Sequence, residues 1–366
     1  MPALPLGWFV ALQLGGLALF VSLAVTGFSM FGGLGDVPDD RSNHARTTPT
    51  AGGLGIVAGV GAAVLVAASH RSLIFLQPGS AAKLATLLSL AFALSMLGLI
   101  DDRRVVPTKL KLALILAACV AGALAVGTVD KLPFQEDHIY LLWWSALGGT
   151  VLWLFVTTNA VNFIDGINGI MGGSLALASG VLCWLASQVG APVAALMAGT
   201  LGAALLGFLP YNFRPKAGVF CGDCGSLPTG FLYAAAVLML VSEQPELRLL
   251  YAGPLLILPI LADVLLTLIR KPLANIPLTA PHSTHAYQRW ARASGSHMLV
   301  SGSYVALGVA FATLVVFAFD RGTLGSMSGL ALLSGLCIAL YLFRIATLPP
   351  SPKQSKRPLK PLRKRG

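Results

Sequence analysis

The chain has 366 residues, 56% hydrophobic and 11% charged, with a mean hydropathy of +0.79. Soluble domains average about 25% charged residues, so a soluble globular protein is excluded and a polytopic membrane protein is expected. The net charge of +11 does not point to nucleic acid, because the basic residues sit in the gaps between apolar runs and in the tail, where they read as membrane orientation and lipid contact.

A span needs roughly 20 apolar residues, and that ruler finds eleven candidates. They lie near 6–31, 51–69, 81–100, 109–128, 140–161, 169–188, 190–209, 227–242, 249–269, 298–319 and 323–346. No Lys or Arg precedes the first run, so it is expected to stay as a span rather than be cleaved as a signal. Of five cysteines, Cys119, Cys183 and Cys337 fall inside apolar runs, which argues against a disulfide framework. The expected fold is all-α, a polytopic integral membrane protein of about 11 transmembrane helices. One transmembrane catalytic domain covers 1–348, and a basic disordered tail covers 349–366.

The loops sort by charge. Twenty of the 25 Lys and Arg lie in the odd-numbered gaps and the C-terminal end, and five in the even-numbered gaps. The positive-inside rule puts the odd gaps and the C-terminus in the cytoplasm and the N-terminus outside. Asp36, Asp39, Asp40, Asp101, Asp102, Asp165 and Asp223 share that cytoplasmic side, with Asp263 inside the ninth span near the same end. All three Glu fall on the outer side. Helix ends need polar residues, but a face served only by the shorter Asp suits metal and phosphate geometry better than solubility alone.

Five clusters on this face can carry chemistry. In the first gap, His44 and Arg46 precede a Gly52-Gly53 helix start, where free N–H groups and cationic side chains can meet a phosphate. The third span ends on Asp101-Asp102 followed by Arg103-Arg104. Adjacent carboxylates stay ionised only with a cation or several donors beside them. Asn159, Asn162 and Asp165 are three apart, so on a helix they share one side, and Gly166 lets backbone approach a ligand. In the seventh gap Asn212 is followed by Phe220-Cys221-Gly222-Asp223-Cys224, where Asp223 is placed as a metal ligand and Phe220 as a platform for a base. Cys221 and Cys224 have zinc-site spacing, but no second such pair exists and the intervening Asp favours a hard cation. The ninth gap holds His282, His285 and Arg289, suited to a pyrophosphate.

Magnesium usually binds one or two carboxylates plus substrate phosphates, so the clusters point to phosphoryl-group transfer between a water-soluble donor and a lipid. A secondary transporter, the rival class, would concentrate its polar residues near the bilayer midplane. Here only Asp263 is clearly intramembrane.

The ordered motifs resemble those of the polyprenyl-phosphate N-acetylhexosamine-1-phosphate transferases, glycosyltransferase family 4, over about residues 30–300. Asp101-Asp102 is similar to the family's paired Asp, Asn159 to Gly166 to its NxxNxxDG motif, and Phe220 to Ser226 to its F-x-G-D-x-G-S loop. His282 to Arg289 resembles the histidine loop of the O-antigen-initiating branch. Two departures stand out: Asn168 replaces a second Asp, and Asp39 replaces an Asn. Thr48 to Gly53 resembles the pentapeptide-transferase loop, yet that enzyme's triple-His run is missing.

The resemblance implies transfer of an N-acetylhexosamine 1-phosphate from a UDP-N-acetylsugar to undecaprenyl phosphate. The products are undecaprenyl-diphosphate-sugar and UMP, as the first membrane step of O-antigen or other envelope polysaccharide synthesis at the cytoplasmic face of the bacterial inner membrane. A UDP-N-acetylhexosamine donor is favoured over the UDP-MurNAc-pentapeptide of the phospho-MurNAc-pentapeptide transferase. Asp101 is implied as the base and Asp102 as its neighbour at substrate and metal, with Asp223 holding magnesium, for which manganese can substitute. His282, His285 and Arg289 are implied at the diphosphate, the two histidines as catalytic residues, and Phe220, Asn212 and Asp165 at the nucleoside, with Asn159, Asn162, His44 and Arg46 among the other substrate-binding residues. Membrane lipids are expected partners, nucleic acid is not, and a homodimer is compatible with the reading. Pro254 and Pro259 are expected to bend the ninth span and open an apolar groove for the prenyl chain, with Asp263 turned inward.

Overall fold

The computed structural model describes residues 6–30, 35–36, 48–69, 79–134, 137–244, 247–273, 285–324, 334–338, 340–342 and 344. The N-terminal helix α1 (Leu6–Ser29) leads through an antiparallel pair, β1 (Gly35–Asp36) and β2 (Thr48–Pro49), into α2 (Gly53–Ser69). Then follow α3 (Ser80–Arg103), α4 (Thr108–Val126), α5 (Trp143–Ile164), α6 (Ile170–Val189), α7 (Pro192–Asn212) and α8 (Asp223–Glu243). A 3₁₀ turn (Leu247–Tyr251), α9 (Ala252–Leu256), α10 (Leu258–Leu273), α11 (Ala286–Ser294) and α12 (His297–Asp320) complete the order.

Among the described residues, eight helices are long and apolar enough to cross a membrane, and the bent pair α9–α10 makes nine if read as one span. The apolar α2 is a shorter, 17-residue helix. The eleventh expected span, 323–346, falls mostly outside the described residues. Two small hairpins and the amphipathic helix α11 stand where gaps between spans were expected. One of the hairpins, β3 (Lys131–Phe134) with β4 (Asp137–Tyr140), lies at the end of α4 remote from Asp101. It leads to exposed Tyr140, Trp143 and Trp144, residues typical of a membrane–water interface.

The core is built around α8. Its apolar window is 94% buried, against 22–67% for the other spanning helices, and it packs on α3, α5 and α7. Small residues set how closely its neighbours approach. A Cβ on Gly98 of α3 would fall on the backbone of Asp223 and Cys224, and one on Gly53 of α2 would fall on the Cα of Gly225. Beside the first contact, Ser95 Oγ donates to Cys224 O at 2.7 Å. Backbone-to-backbone contact of this kind is how membrane helices gain packing energy where apolar burial offers little.

The ninth span bends by 72° between 248–256 and 258–270. Pro259 explains it. Its ring clashes with the carbonyl four residues back and disfavours helical backbone at Leu258, so the helix breaks at Ile257 (φ −112°, ψ 16°). Pro254 lies in the first turn of α9, where proline is tolerated, so the kink belongs to Pro259 alone. Asp263 faces inward as expected and is 1% exposed.

Because only hydrogen fits at Gly98, Gly98→Ala should push the first turn of α8 away from α3 and cost about 1–3 kcal/mol. Gly61→Ala, which meets nothing within 4 Å, should be neutral or slightly stabilising. Thermal unfolding of the two variants in detergent checks the difference, and equal unfolding temperatures would contradict the packing argument.

Candidate active site

The two acids that close the third span belong to the last helical turn of α3, since α3 runs to Arg103 before Arg104 turns extended (φ −143°, ψ 112°). Asp101 Oδ1 accepts from Val106 N at 2.7 Å, which closes the turn into α4. Asp101 Oδ2 accepts from Lys111 Nζ at 2.7 Å, one turn into α4. The same ammonium pairs with Asp223 Oδ2, so a single cation bridges carboxylates from α3 and α8. The Lys111 and Asp101 side chains are each 17% exposed, shielded yet open to small solutes.

Asp102 faces the other way and accepts from Asp223 N at 3.1 Å and Cys224 N at 3.3 Å. It therefore caps α8, whose own N-cap is Gly222 at φ +71°, a conformation that favours glycine. The remaining oxygen of Asp223 accepts from Asn162 Nδ2 at 2.7 Å, and the same amide lies 2.9 Å from Ser226 Oγ. Asp223 is thus the first residue of α8 rather than a loop residue, held by Lys111 on one oxygen and Asn162 on the other.

The strand-like approach to Gly222 is stitched to the first loop. Phe220 N donates to Pro49 O at 2.7 Å, Gly52 N to Phe220 O at 3.1 Å, and Gly53 N to Cys221 O at 2.9 Å. Asp165 caps the C-terminus of α5. Burial first, and then the charges of Asp223 and Asp102, hold its carboxyl well above the ordinary carboxylate range.

Other residues take different places from those the motifs imply. Asn159 bonds back to Phe155 O of its own helix at 2.8 Å, so of the two α5 asparagines Asn162 is the one turned to Asp223. Asn212 gives both ends of its amide to backbone, accepting from Gly169 N at 2.8 Å and donating to Val219 O at 3.0 Å. Asn168 donates to Arg214 O at 2.8 Å. These two side chains clamp the 165–169 turn to the 212–219 loop rather than face a nucleotide. His285 is fully buried with Nδ1 3.3 Å from Asp263 Oδ1, and Arg289 is 7% exposed on α11. His285 therefore does not reach a diphosphate at the surface in this conformation. His44, Arg46 and His282 lie outside the described residues.

Among the described residues no three His, Cys, Asp or Glu gather to hold a metal. The Cys221 and Cys224 thiols are free and buried, with Cys224 Sγ 3.5 Å from Cys221 O, which gives a zinc reading no third ligand. Asp102 and Asp223 remain as two oxygen donors at one helix start, a set that fits a hard ion completed by phosphate oxygens.

Lys111 was missed by motif reading. It counts there only as a topogenic charge, and its one signal is a lysine opening an apolar helix ten residues after Asp101. Lys111→Met leaves two facing carboxylates without a cation, and should lower stability by about 1–3 kcal/mol at pH 8. Lys111→Arg, which keeps a cation between the two carboxylates, should lose less. Unfolding temperatures of the two variants check it, and equal losses would mean that lost packing, not charge, is responsible.

The family model for glycosyl transferase family 4 matches residues 84–241, which hold the α3, α5 and α8 site residues. A Bacillus subtilis protein named probable undecaprenyl-phosphate N-acetylglucosaminyl 1-phosphate transferase is 30% identical over 268 residues, 72% of this chain and 71% of that protein. The decaprenyl-phosphate N-acetylglucosaminephosphotransferase of Mycolicibacterium smegmatis is 28% identical over 333 residues, covering 83% and 80%. The phospho-N-acetylmuramoyl-pentapeptide-transferase of Desulforudis audaxviator is 34% identical over 253 residues, covering 62% and 72%. With its paired Asp, its Asn162–Asp223 contact and this span of similarity, the chain belongs to the polyprenyl-phosphate hexosamine-1-phosphate transferases of glycosyl transferase family 4.

Proposed function

We propose that the protein transfers an N-acetylhexosamine 1-phosphate from a UDP-sugar to undecaprenyl phosphate at the cytoplasmic face of the bacterial inner membrane. An oxygen of the lipid phosphate attacks the phosphorus that carries the sugar, the bond from that phosphorus to the UMP oxygen breaks, and UMP leaves. The observation that carries this reading is the Asp101–Lys111–Asp223–Asn162 cluster at one end of the apolar helices, where a lipid phosphate and a soluble nucleotide can meet.

In this reading Asp101 accepts the proton of the lipid phosphate. Lys111 offsets the charge of Asp101 and Asp223 and faces the incoming phosphates, and Asn162 fixes the rotamer of Asp223. Asp223 and Asp102 are the residues that would hold magnesium, or manganese in its place. The ion when bound would offset the charge of the donor diphosphate. Phe220 and Asp165 flank the nucleoside side, and His44, Arg46, His282 and Arg289 supply diphosphate contacts. The product would open an O-antigen or other envelope polysaccharide. A second reading, transfer of phospho-MurNAc-pentapeptide, is favoured by the 34% identity to the D. audaxviator enzyme.

Membranes supplied with undecaprenyl phosphate and a panel of labelled UDP-sugars test the reaction. A UDP-N-acetylhexosamine should give labelled lipid and UMP, whereas label only from UDP-MurNAc-pentapeptide would favour the second reading. Asp101→Asn should lose roughly 10²–10⁴-fold in turnover. Asp223→Asn should raise the magnesium requirement or abolish activity. Wild-type activity and magnesium dependence in Asp223→Asn would overturn the metal assignment.

The broken span supports a path for the lipid chain. The 72° bend parts α9 from α10, and Leu265 and Ile269 on α10 are 37% and 60% exposed. The prenyl chain of the acceptor is proposed to lie along these exposed apolar side chains. Photo-crosslinking with a diazirine-bearing undecaprenyl phosphate should label 249–269, and labels confined to remote helices would contradict the placement.

A further inference from the structure

The helix that follows the histidine segment does not cap itself. The N-cap of α11, His285, offers no side-chain acceptor to the first turn. A carboxylate from another helix takes those N–H groups instead. Asp263 Oδ1 accepts from Ala286 N at 3.0 Å, and Oδ2 accepts from Tyr287 N at 2.9 Å. Thr267 Oγ1 and the Tyr304 hydroxyl of α12 donate to the same carboxylate, and His285 Nδ1 lies 3.3 Å from it. An acid inside a membrane helix is expensive unless its hydrogen bonds are used, and here five groups converge on it at 1% exposure.

A second anchor holds α11 from the other side. Tyr287 Oη donates to Phe163 O at 2.8 Å, one residue beyond Asn162 on α5. The space for this hydroxyl exists because residue 166 is glycine, since a Cβ there would fall on the Tyr287 oxygen. A continuous path therefore runs from Asp263 on the broken span, through the first turn of α11, to the end of α5 whose Asn162 holds Asp223.

We propose that Asp263 is a positioning residue that pins the first turn of α11 against the end of α5, and so sets the position from which Arg289 on that helix meets the diphosphate of the nucleotide sugar. The ligand named here rests on the proposed reaction, whereas the pinning itself does not. Asp263 touches no reacting atom. Its charge is matched to several N–H and O–H donors that a neutral amide cannot all satisfy.

The test uses the full chain in nanodiscs, with Asp263→Asn, Asp263→Glu and Tyr287→Phe. Hydrogen exchange at Ala286 and Tyr287 should be about tenfold faster in Asp263→Asn than in wild type, while α10 and α12 stay protected. In turnover assays both Asp263→Asn and Tyr287→Phe should raise KM for the UDP-sugar about tenfold. The KM for the polyprenyl phosphate and the magnesium dependence should hold, and Asp263→Glu should recover part of the loss. Unchanged exchange at Ala286 and Tyr287 in Asp263→Asn overturns the pinning. A fall in kcat and unfolding temperature with an unchanged donor KM overturns the positioning role. A wild type that uses no nucleotide sugar contradicts the proposed reaction alone, and the exchange measurement then decides the pinning.

Discussion

Lys111 stands between two carboxylates that come from different helices, Asp101 of α3 and Asp223 of α8. Like charges crowded at the end of a helix bundle cannot both remain ionised without a counter-charge. An ammonium on a flexible stem supplies it while leaving the carboxylates directed at the surface. The ends of α3, α4 and α8 are fixed by this contact, and Asn162 brings in α5 through the other oxygen of Asp223. Asp102, pointing away from the lysine, supports the same residue through its backbone. Each group in the cluster is thus held by a bond to a different helix, so the site is as rigid as the bundle.

A second constraint recurs across the fold. A helix end buried in a membrane protein leaves N–H groups that water cannot reach. Three helices meet that need with a carboxylate borrowed from elsewhere. Asp102 serves α8, Asp263 serves α11, and Glu243, at the far end of α8, serves α7 through Val193 N at 3.1 Å and Ala194 N at 2.9 Å. None of the three has a side chain of its own at the N-cap that accepts such a bond. Asp263 and Glu243 thus tie helices together away from Asp223, while Asp102 does so within the site.

The sequence made the carboxylates legible because charge is rare in this chain, and a paired Asp or an Asn-x-x-Asn-x-x-Asp spacing stands out against apolar runs. Helix ends were harder to read. An apolar ruler trims polar residues, so it stopped α3 at Ile100 and started α8 at Leu227, placing in loops the acids that the helices carry. Lys111 escaped because one lysine at the mouth of a span looks the same whether it orients the helix or bridges two acids. Asn212 misled in the opposite direction. Its motif position suggests a nucleotide contact, but both ends of its amide are taken by Gly169 and Val219, and only three-dimensional closure of two distant loops reveals that. The α11 helix was invisible to a search for spans, since it is short and amphipathic and lies between two of them.

The central claim is that Lys111 and Asp223 act as one unit in turnover. A double-mutant cycle on the single-turnover rate tests it most directly, comparing Lys111→Met, Asp223→Asn and the double variant with the wild-type chain on the same donor and acceptor. The account predicts strong non-additivity, with the double variant little slower than the worse single one, because either change already breaks the shared contact. Effects that simply multiply would show that the lysine and the carboxylate serve the reaction independently, and would contradict the account.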